Sequence, residues 1–221
     1  MPEPSDPILI TPGTTLLGGK YRVERLLGQG AFGQVYLATH LALKVQRALK
    51  ILRRGSPNLG STEFIQYRGR FELEAQLGAQ LNSPSPNPHL LQVFEFWQES
   101  DLLALEMEYA PGGSLAERIR AARDREQFIP LEQVLAWTND AALGLAALHR
   151  KDLVHRDVKP SNLLLDAEGH IKLADLGLVQ TPYSRLSRSD ADLPNHPGTV
   201  EYMPPEQRPP HTDPLRPPAD I

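Results

Sequence analysis

The sequence predicts an α+β chain of two lobes, a small five-stranded antiparallel sheet carrying one helix and then a mainly helical lobe. Three observations predict it. Short β-type runs surround a single helical run between residues 20 and 109, Ala110-Pro111-Gly112-Gly113 then breaks the chain, and residues 131–150 carry apolar side chains at helical spacing. With 221 residues and 40% hydrophobic side chains, the chain can bury the core of one large domain or two small ones.

Residues 1–17 contain Pro2, Pro4, Pro7 and Pro12 and no basic stretch before an apolar block, so they read as a flexible leader rather than a signal peptide or anchor. The first lobe then spans residues 18–109. Strands are expected over 20–27, 34–39, 47–52, 92–97 and 102–109, with a helix over 63–81. Residues 110–113 form the hinge, and Ser114 is placed to cap a helix running to about Arg123. Residues 131–150 suit a long buried helix, and strands at 162–165 and 170–174 flank the turn Asp166-Ala167-Glu168-Gly169. Beyond Asp175 periodicity fades. Seven prolines between Pro204 and Pro218 forbid helix and sheet and predict an extended tail.

A net charge of −4, with both signs interspersed, gives no overall field for nucleic acid or an anionic membrane surface. No nucleic-acid partner is expected. No apolar run approaches the roughly 20 residues that span a bilayer, so no membrane segment is expected in this chain. The absence of cysteine excludes disulfides, thiolate-bound metals and thiol catalysis, and favours a cytoplasmic location. The seven histidines are dispersed without metal-ligand spacing.

Residues 28–35, Gly28-Gln29-Gly30-Ala31-Phe32-Gly33-Gln34-Val35, fit G-x-G-x-x-G-x-V. Glycines let backbone N–H groups approach phosphate oxygens without interference from Cβ. A dinucleotide-binding turn shares the three glycines but opens a helix. Here Gln34-Val35-Tyr36-Leu37-Ala38 alternates like a strand, so the glycines sit at the tip of a hairpin, entered from Leu27, that can cover a nucleotide.

Ala42-Leu43-Lys44 and Ala48-Leu49-Lys50 both fit A-x-K. The first lies where the chain must turn and the second inside a strand, so Lys50 is the residue expected to pair with the α- and β-phosphates. Its carboxylate partner on the following helix is Glu72 or Glu74, between which spacing does not choose.

His155-Arg156-Asp157-Val158-Lys159-Pro160-Ser161-Asn162 fits H-R-D-x-x-x-x-N in full. In that pattern Asp157 accepts or orients the proton of a substrate hydroxyl, Lys159 neutralises the transferred phosphoryl group, and the amide oxygen of Asn162 binds Mg²⁺. Asp175-Leu176-Gly177 follows directly on a strand, whose end can aim the hard carboxylate ligand that Mg²⁺ prefers.

Together these residues resemble the protein kinase superfamily from about Lys20 to the end, with wording similar to bacterial serine/threonine kinases. The resemblance implies a bilobal protein-kinase-like fold, ATP and Mg²⁺ as cofactors, and transfer of the γ-phosphate to Ser or Thr hydroxyls of protein substrates. Phe71-x-x-Glu74-Ala75 resembles the kinase C-helix, which selects Glu74. Met107 is implied as gatekeeper, and the backbone from Glu108 to Ala110 as the adenine-binding hinge. Lys159 and Gly198-Thr199 match the serine/threonine branch, and Gly198 to Glu206 closes an activation segment at 175–206. A phosphate on Thr181, Tyr183, Ser184, Ser187, Ser189 or Thr199 is expected to pair with Arg156.

Four positions depart from the family pattern, and the last two carry expectations. Leu176 stands where Phe is commoner, and Pro204 precedes Pro205-Glu206 in place of Ala. Gly78, one turn after Glu74, offers no side chain where an apolar one is common, so the helix is expected to be less firmly held. Pro218-Ala219-Asp220-Ile221 resembles the entry to the central helix of the second lobe and ends the chain, so an incomplete second lobe, an exposed apolar helix face and self-association are expected. The alternative to a transferase is an ATP-binding interaction module with weak or no transfer activity.

Overall fold

The computed structural model describes residues 9–30, 33–53, 61–99, 102–176, 179, 200–205 and 220. The chain divides into two compact units, residues 1–79 with 92–109, and residues 80–91 with 110–221.

The first unit is built on one antiparallel sheet. Its strands are β1 (Thr15–Leu16), β2 (Tyr21–Gly30), β3 (Gly33–His40), β4 (Val45–Arg53), β5 (Val93–Glu99) and β6 (Leu102–Met107), in the order β1-β2-β3-β4-β6-β5. The five expected strands are β2 to β6. The sixth, β1, falls inside the stretch read as leader: the Ile10 N–H donates to the Tyr36 hydroxyl at 3.0 Å, the Gly13 N–H to the Val23 carbonyl at 2.8 Å, and Leu17 is 7% exposed. From Ile10 onward the chain is thus anchored, through backbone bonds and contacts that a two-residue strand does not signal by alternation.

Alternation along the strands decides what each face carries. Tyr21 and Val23, Tyr36 and Ala38, Leu49 and Ile51, and Leu102 and Ala104 form one apolar cluster, against which Ile10, Leu16 and Trp97 pack. Residues of opposite parity, Ala48, Lys50 and Leu52 on β4 and Leu103, Leu105 and Met107 on β6, lie on the other face.

That face meets the helix α1 (Ser61–Leu81), whose buried residues Phe71, Glu74, Leu77, Gly78 and Leu81 recur at three- and four-residue spacing. At Gly78 the helix comes so close to β5 that a Cβ there would stand 2.6 Å from Val93 Cβ and 2.7 Å from Val93 Cγ2. The place of the missing side chain is taken by Val93.

In the second unit, β7 (Gly113–Ser114), β8 (Leu163–Leu165) and β9 (Ile171–Leu173) form an antiparallel sheet in that order. Ser114 begins the helix α2 (Leu115–Asp124) with a reciprocal cap: its hydroxyl accepts from the Glu117 N–H at 3.2 Å, and Glu117 Oε2 accepts from the Ser114 N–H at 2.7 Å. The turn between β8 and β9 is closed by Asp166 Oδ1, which accepts from the N–H groups of Glu168 and His170, while Gly169 takes φ of +87°.

The helix α3 (Leu131–His149) departs from the expected buried helix over half its length. Asp140, Gly144, Leu145, Ala147 and Leu148 are buried, whereas Leu131 is 68% and Leu135 60% exposed. Only the C-terminal half lies on β9, where Gly144 brings the helix within reach of the His89 carbonyl. The apolar N-terminal half shows the exposed face that the sequence also leads one to expect.

Candidate active site

The glycine loop is a hairpin. Gly28 pairs with Val35, Gln29 with Gln34 and Gly30 with Gly33, and the chain continues from Gly33 as a strand rather than a helix. Two register shifts in β2, after Val23 and after Leu26, add twist to this ribbon and place Leu27 at the second of them. Gly33 has φ of +114°, and a Cβ on it would collide with the Ile51 carbonyl oxygen. Ala31 and Phe32 lie outside the described residues.

In the same unit Lys50 sits mid-strand, paired with Val35 on β3 and Leu105 on β6. Its ammonium donates to Glu74 Oε2 at 2.7 Å, and both residues are buried, at 9% and 2% exposure. Glu72 faces elsewhere and pairs with Arg68 one turn earlier on the exposed side of α1. Lys44 is exposed in the turn before β4, with φ of 57°. The alternation that buries Leu49 and Ile51 in the apolar cluster therefore turns Lys50 toward α1. Met107, buried at the end of β6, lies opposite Ala48 on one side and Val93 on the other. The Glu108 N–H donates to the Gln92 carbonyl at 2.9 Å, and in the second unit the Ala110 carbonyl accepts from the Gly113 N–H at 3.3 Å.

The second unit gathers His155 to Asn162 and Asp175. His155 is fully buried; its Nδ1 accepts from the Asp157 N–H at 3.3 Å and its Nε2 meets the Ala174 carbonyl at 3.0 Å. Only the Nε2–H tautomer satisfies both contacts, because a carbonyl accepts and an N–H donates. The ring thus links the loop to the residue before Asp175. Asp157 Oδ2 lies 2.7 Å from Lys159 Nζ and 2.9 Å from Asn162 Nδ2. Asn162 Nδ2 also donates to the Asp157 backbone carbonyl at 2.9 Å, which engages both amide protons and leaves Oδ1 as the amide atom suited to a cation. The Asn162 carbonyl in turn accepts from the Ala174 N–H at 2.8 Å. Asp175 follows with φ of 65°, a conformation L-residues seldom take, and Leu176 beside it is 4% exposed. An amide oxygen and a carboxylate are the hard oxygen donors that suit Mg²⁺, which takes few protein ligands and fills its shell with phosphate and water.

Asp220 is a site residue that the sequence reading did not single out. Its side chain is fully buried, and its oxygens accept the backbone N–H groups of His155 and Arg156, each at 2.7 Å. His149 Nε2 lies 2.9 Å from the same carboxylate. Asp220 stands far from the loop in sequence beyond a proline run, so no local pattern ties it to the loop. Gly177, Gly198, Glu206 and the proposed phosphate acceptors from Thr181 to Thr199 lie outside the described residues, as does the tail from 206 to 219.

A family model for the protein kinase domain matches residues 21–221. The serine/threonine-protein kinase PrkC of Bacillus subtilis is 32% identical over 195 residues, covering 86% of this chain and 27% of that protein. PknA of Corynebacterium glutamicum is 30% identical over 198 residues, covering 87% of this chain and 39% of its own length. Mouse Aurora kinase B is 31% identical over 187 residues, covering 84% and 48%. The chain therefore spans less than half the length of each of these relatives. A family match over 21–221, on a chain that also holds the hairpin, the Lys50–Glu74 pair and the Asp157 cluster, admits one conclusion: the chain belongs to the protein kinase family.

Proposed function

We propose that this chain carries out ATP-dependent transfer of the γ-phosphate to Ser and Thr hydroxyls of proteins. The observation that carries the reading is Asp157: a carboxylate held between Lys159 and Asn162, on a loop whose backbone is fixed by the His155 ring. In this reading Asp157 receives the proton of the acceptor hydroxyl, and Lys159 offsets the charge developing on the transferred group. Asn162 and Asp175 would hold Mg²⁺, which would screen the charge of the nucleotide phosphates. Lys50, oriented by Glu74, pairs with the α- and β-phosphates. The backbone of residues 27–35 covers the phosphates, and Met107, Glu108 and Ala110 line the adenine.

The cytoplasm, where ATP and Mg²⁺ are abundant, is the location this reading favours. Among the described residues no helix is long and apolar enough to cross a membrane. Self-association through α3 is supported by the exposure of Leu131, Val134, Leu135 and Leu143, and sedimentation velocity at rising concentration tests it with Leu135→Lys as control.

The deciding experiment measures ATP binding and transfer of labelled γ-phosphate from Mg-ATP to casein, for the chain and for Asp157→Asn. Transfer that falls by about 10²–10⁴-fold in the variant supports the proposal. Binding with no transfer by either protein favours the second reading, an ATP-binding interaction module.

A further inference from the structure

Most residues along the buried stripe of α1 carry side chains into the interior; Gly78 is the one that brings backbone. Helix propensity disfavours glycine in mid-helix, so its presence there needs a local cause. The cause is visible at β5, since a methyl group on Gly78 would stand 2.6 Å from Val93 Cβ, an atom fixed to the strand backbone that cannot rotate away.

Val93 and Lys50 belong to one rigid frame. Val93 pairs with Met107 on β6, Met107 pairs with Ala48 on β4, and Lys50 lies two residues along the same strand and face as Ala48. Glu74 lies one helical turn before Gly78 on the same stripe of α1. Anything that lifts α1 off Val93 therefore lifts Glu74 off Lys50. Ordinary carbon contacts need about 3.5–4.0 Å, so a side chain at 78 must displace the helix by roughly an ångström. The same displacement would carry the 2.7 Å Lys50–Glu74 bond past hydrogen-bond distance.

We propose that Gly78 is a positioning residue: its missing side chain sets the α1–β5 spacing that keeps Glu74 on Lys50, and any side chain there acts as a wedge that opens the pair. This rests on the reading of Lys50 and Glu74 as nucleotide-orienting groups. It reverses the expectation that glycine here leaves the helix loosely held, because Val93 fills the space.

The test is a double-mutant cycle between Gly78→Ala and Glu74→Gln, read by phosphate transfer and by the acetylation rate of Lys50 under trace acetic anhydride, mapped by mass spectrometry. Gly78→Ala is expected to lower transfer about tenfold and to raise Lys50 acetylation, yet to change neither further once Glu74→Gln is in place. Adding Val93→Gly to Gly78→Ala removes the collision and restores both readouts. Val93→Ile, which enlarges the contact from the strand side, serves as the second wedge if Gly78→Ala does not fold. Wild-type transfer and acetylation in Gly78→Ala, or an equal loss in the Glu74→Gln background, overturns the inference. If Glu74→Gln itself leaves transfer at the wild-type level, the reading of Glu74 falls with it.

Discussion

The carboxylate of Asp220 accepts the backbone N–H of Arg156 through Oδ1 at 2.7 Å, across 64 residues of sequence. Arg156 has φ of 70°, a region that costs a residue with a Cβ of order 1–3 kcal/mol and persists only where neighbours enforce it. The second oxygen accepts from His155, so one buried side chain holds two consecutive peptide units of the loop from His155 to Asn162.

Asp220→Ala removes both acceptors and leaves two buried N–H groups unpaired. A loss of about 2–5 kcal/mol in urea unfolding is expected, with transfer reduced at least about tenfold because Asp157 follows directly. Asp220→Asn is nearly as damaging, since its amide turns one donor toward another. His149→Ala, which removes a single contact at a partly exposed ring, costs about 1 kcal/mol. Equal stability of Asp220→Ala and the parent would rule out the anchoring role.

Lys50 and Glu74 separate stability from chemistry. Lys50→Met takes the ammonium away from the Glu74 carboxylate, 2% exposed, and is expected to cost about 3–5 kcal/mol as well as transfer activity. Lys50→Met with Glu74→Leu replaces the pair by apolar groups and should recover most of the stability while transfer stays lost. Lys44→Met, in an exposed turn, is expected to alter neither. Thermal unfolding and transfer assays on the three variants check this, and a loss of activity in Lys44→Met would reassign the phosphate lysine.

Much of this arrangement is legible in the sequence because it is local. The hairpin at Gly28 to Val35 follows from period-two alternation, Lys50 from its place inside a strand, and the loop from His155 to Asn162 from residue spacing alone. What spacing misses is set by tertiary packing. The choice of Glu74 over Glu72 depends on which side of α1 faces β4, the role of Asp220 on a contact between distant segments, and the packing of Ile10 to Leu17 on backbone bonds to a sheet edge. The burial expected along all of α3 fails at Leu131 and Leu135 because helical periodicity records an apolar stripe and not what covers it.

Gly33→Ala tests the hairpin. A Cβ at φ of +114° is strained and would meet the Ile51 carbonyl, so β3 must part from β4 at the register that holds Val35 opposite Lys50. The expected cost is about 2 kcal/mol or more, with weaker ATP binding in titration calorimetry. Gly28→Ala, where a Cβ meets nothing within 4 Å, is expected to fold normally. Similar melting temperatures for the two variants would contradict the asymmetry.

Tyr21 gives the first unit an alkaline limit. Burial first, and then the carboxylate of Glu106, push its phenol far above the usual range, since both penalise a phenolate. In the unfolded chain the same group ionises near pH ~10. Below that pH both states hold the proton and the group contributes nothing to the slope. Above it the unfolded chain releases a proton that the folded chain keeps, so stability falls as pH rises, by up to about 1.4 kcal/mol per pH unit. Tyr21→Phe, which removes the ionisable group, is therefore expected to show a shallower decline above pH ~10 than the parent. Urea midpoints measured on both sides of that pH decide it: parallel curves for the two proteins would mean that Tyr21 ionises freely in the folded state.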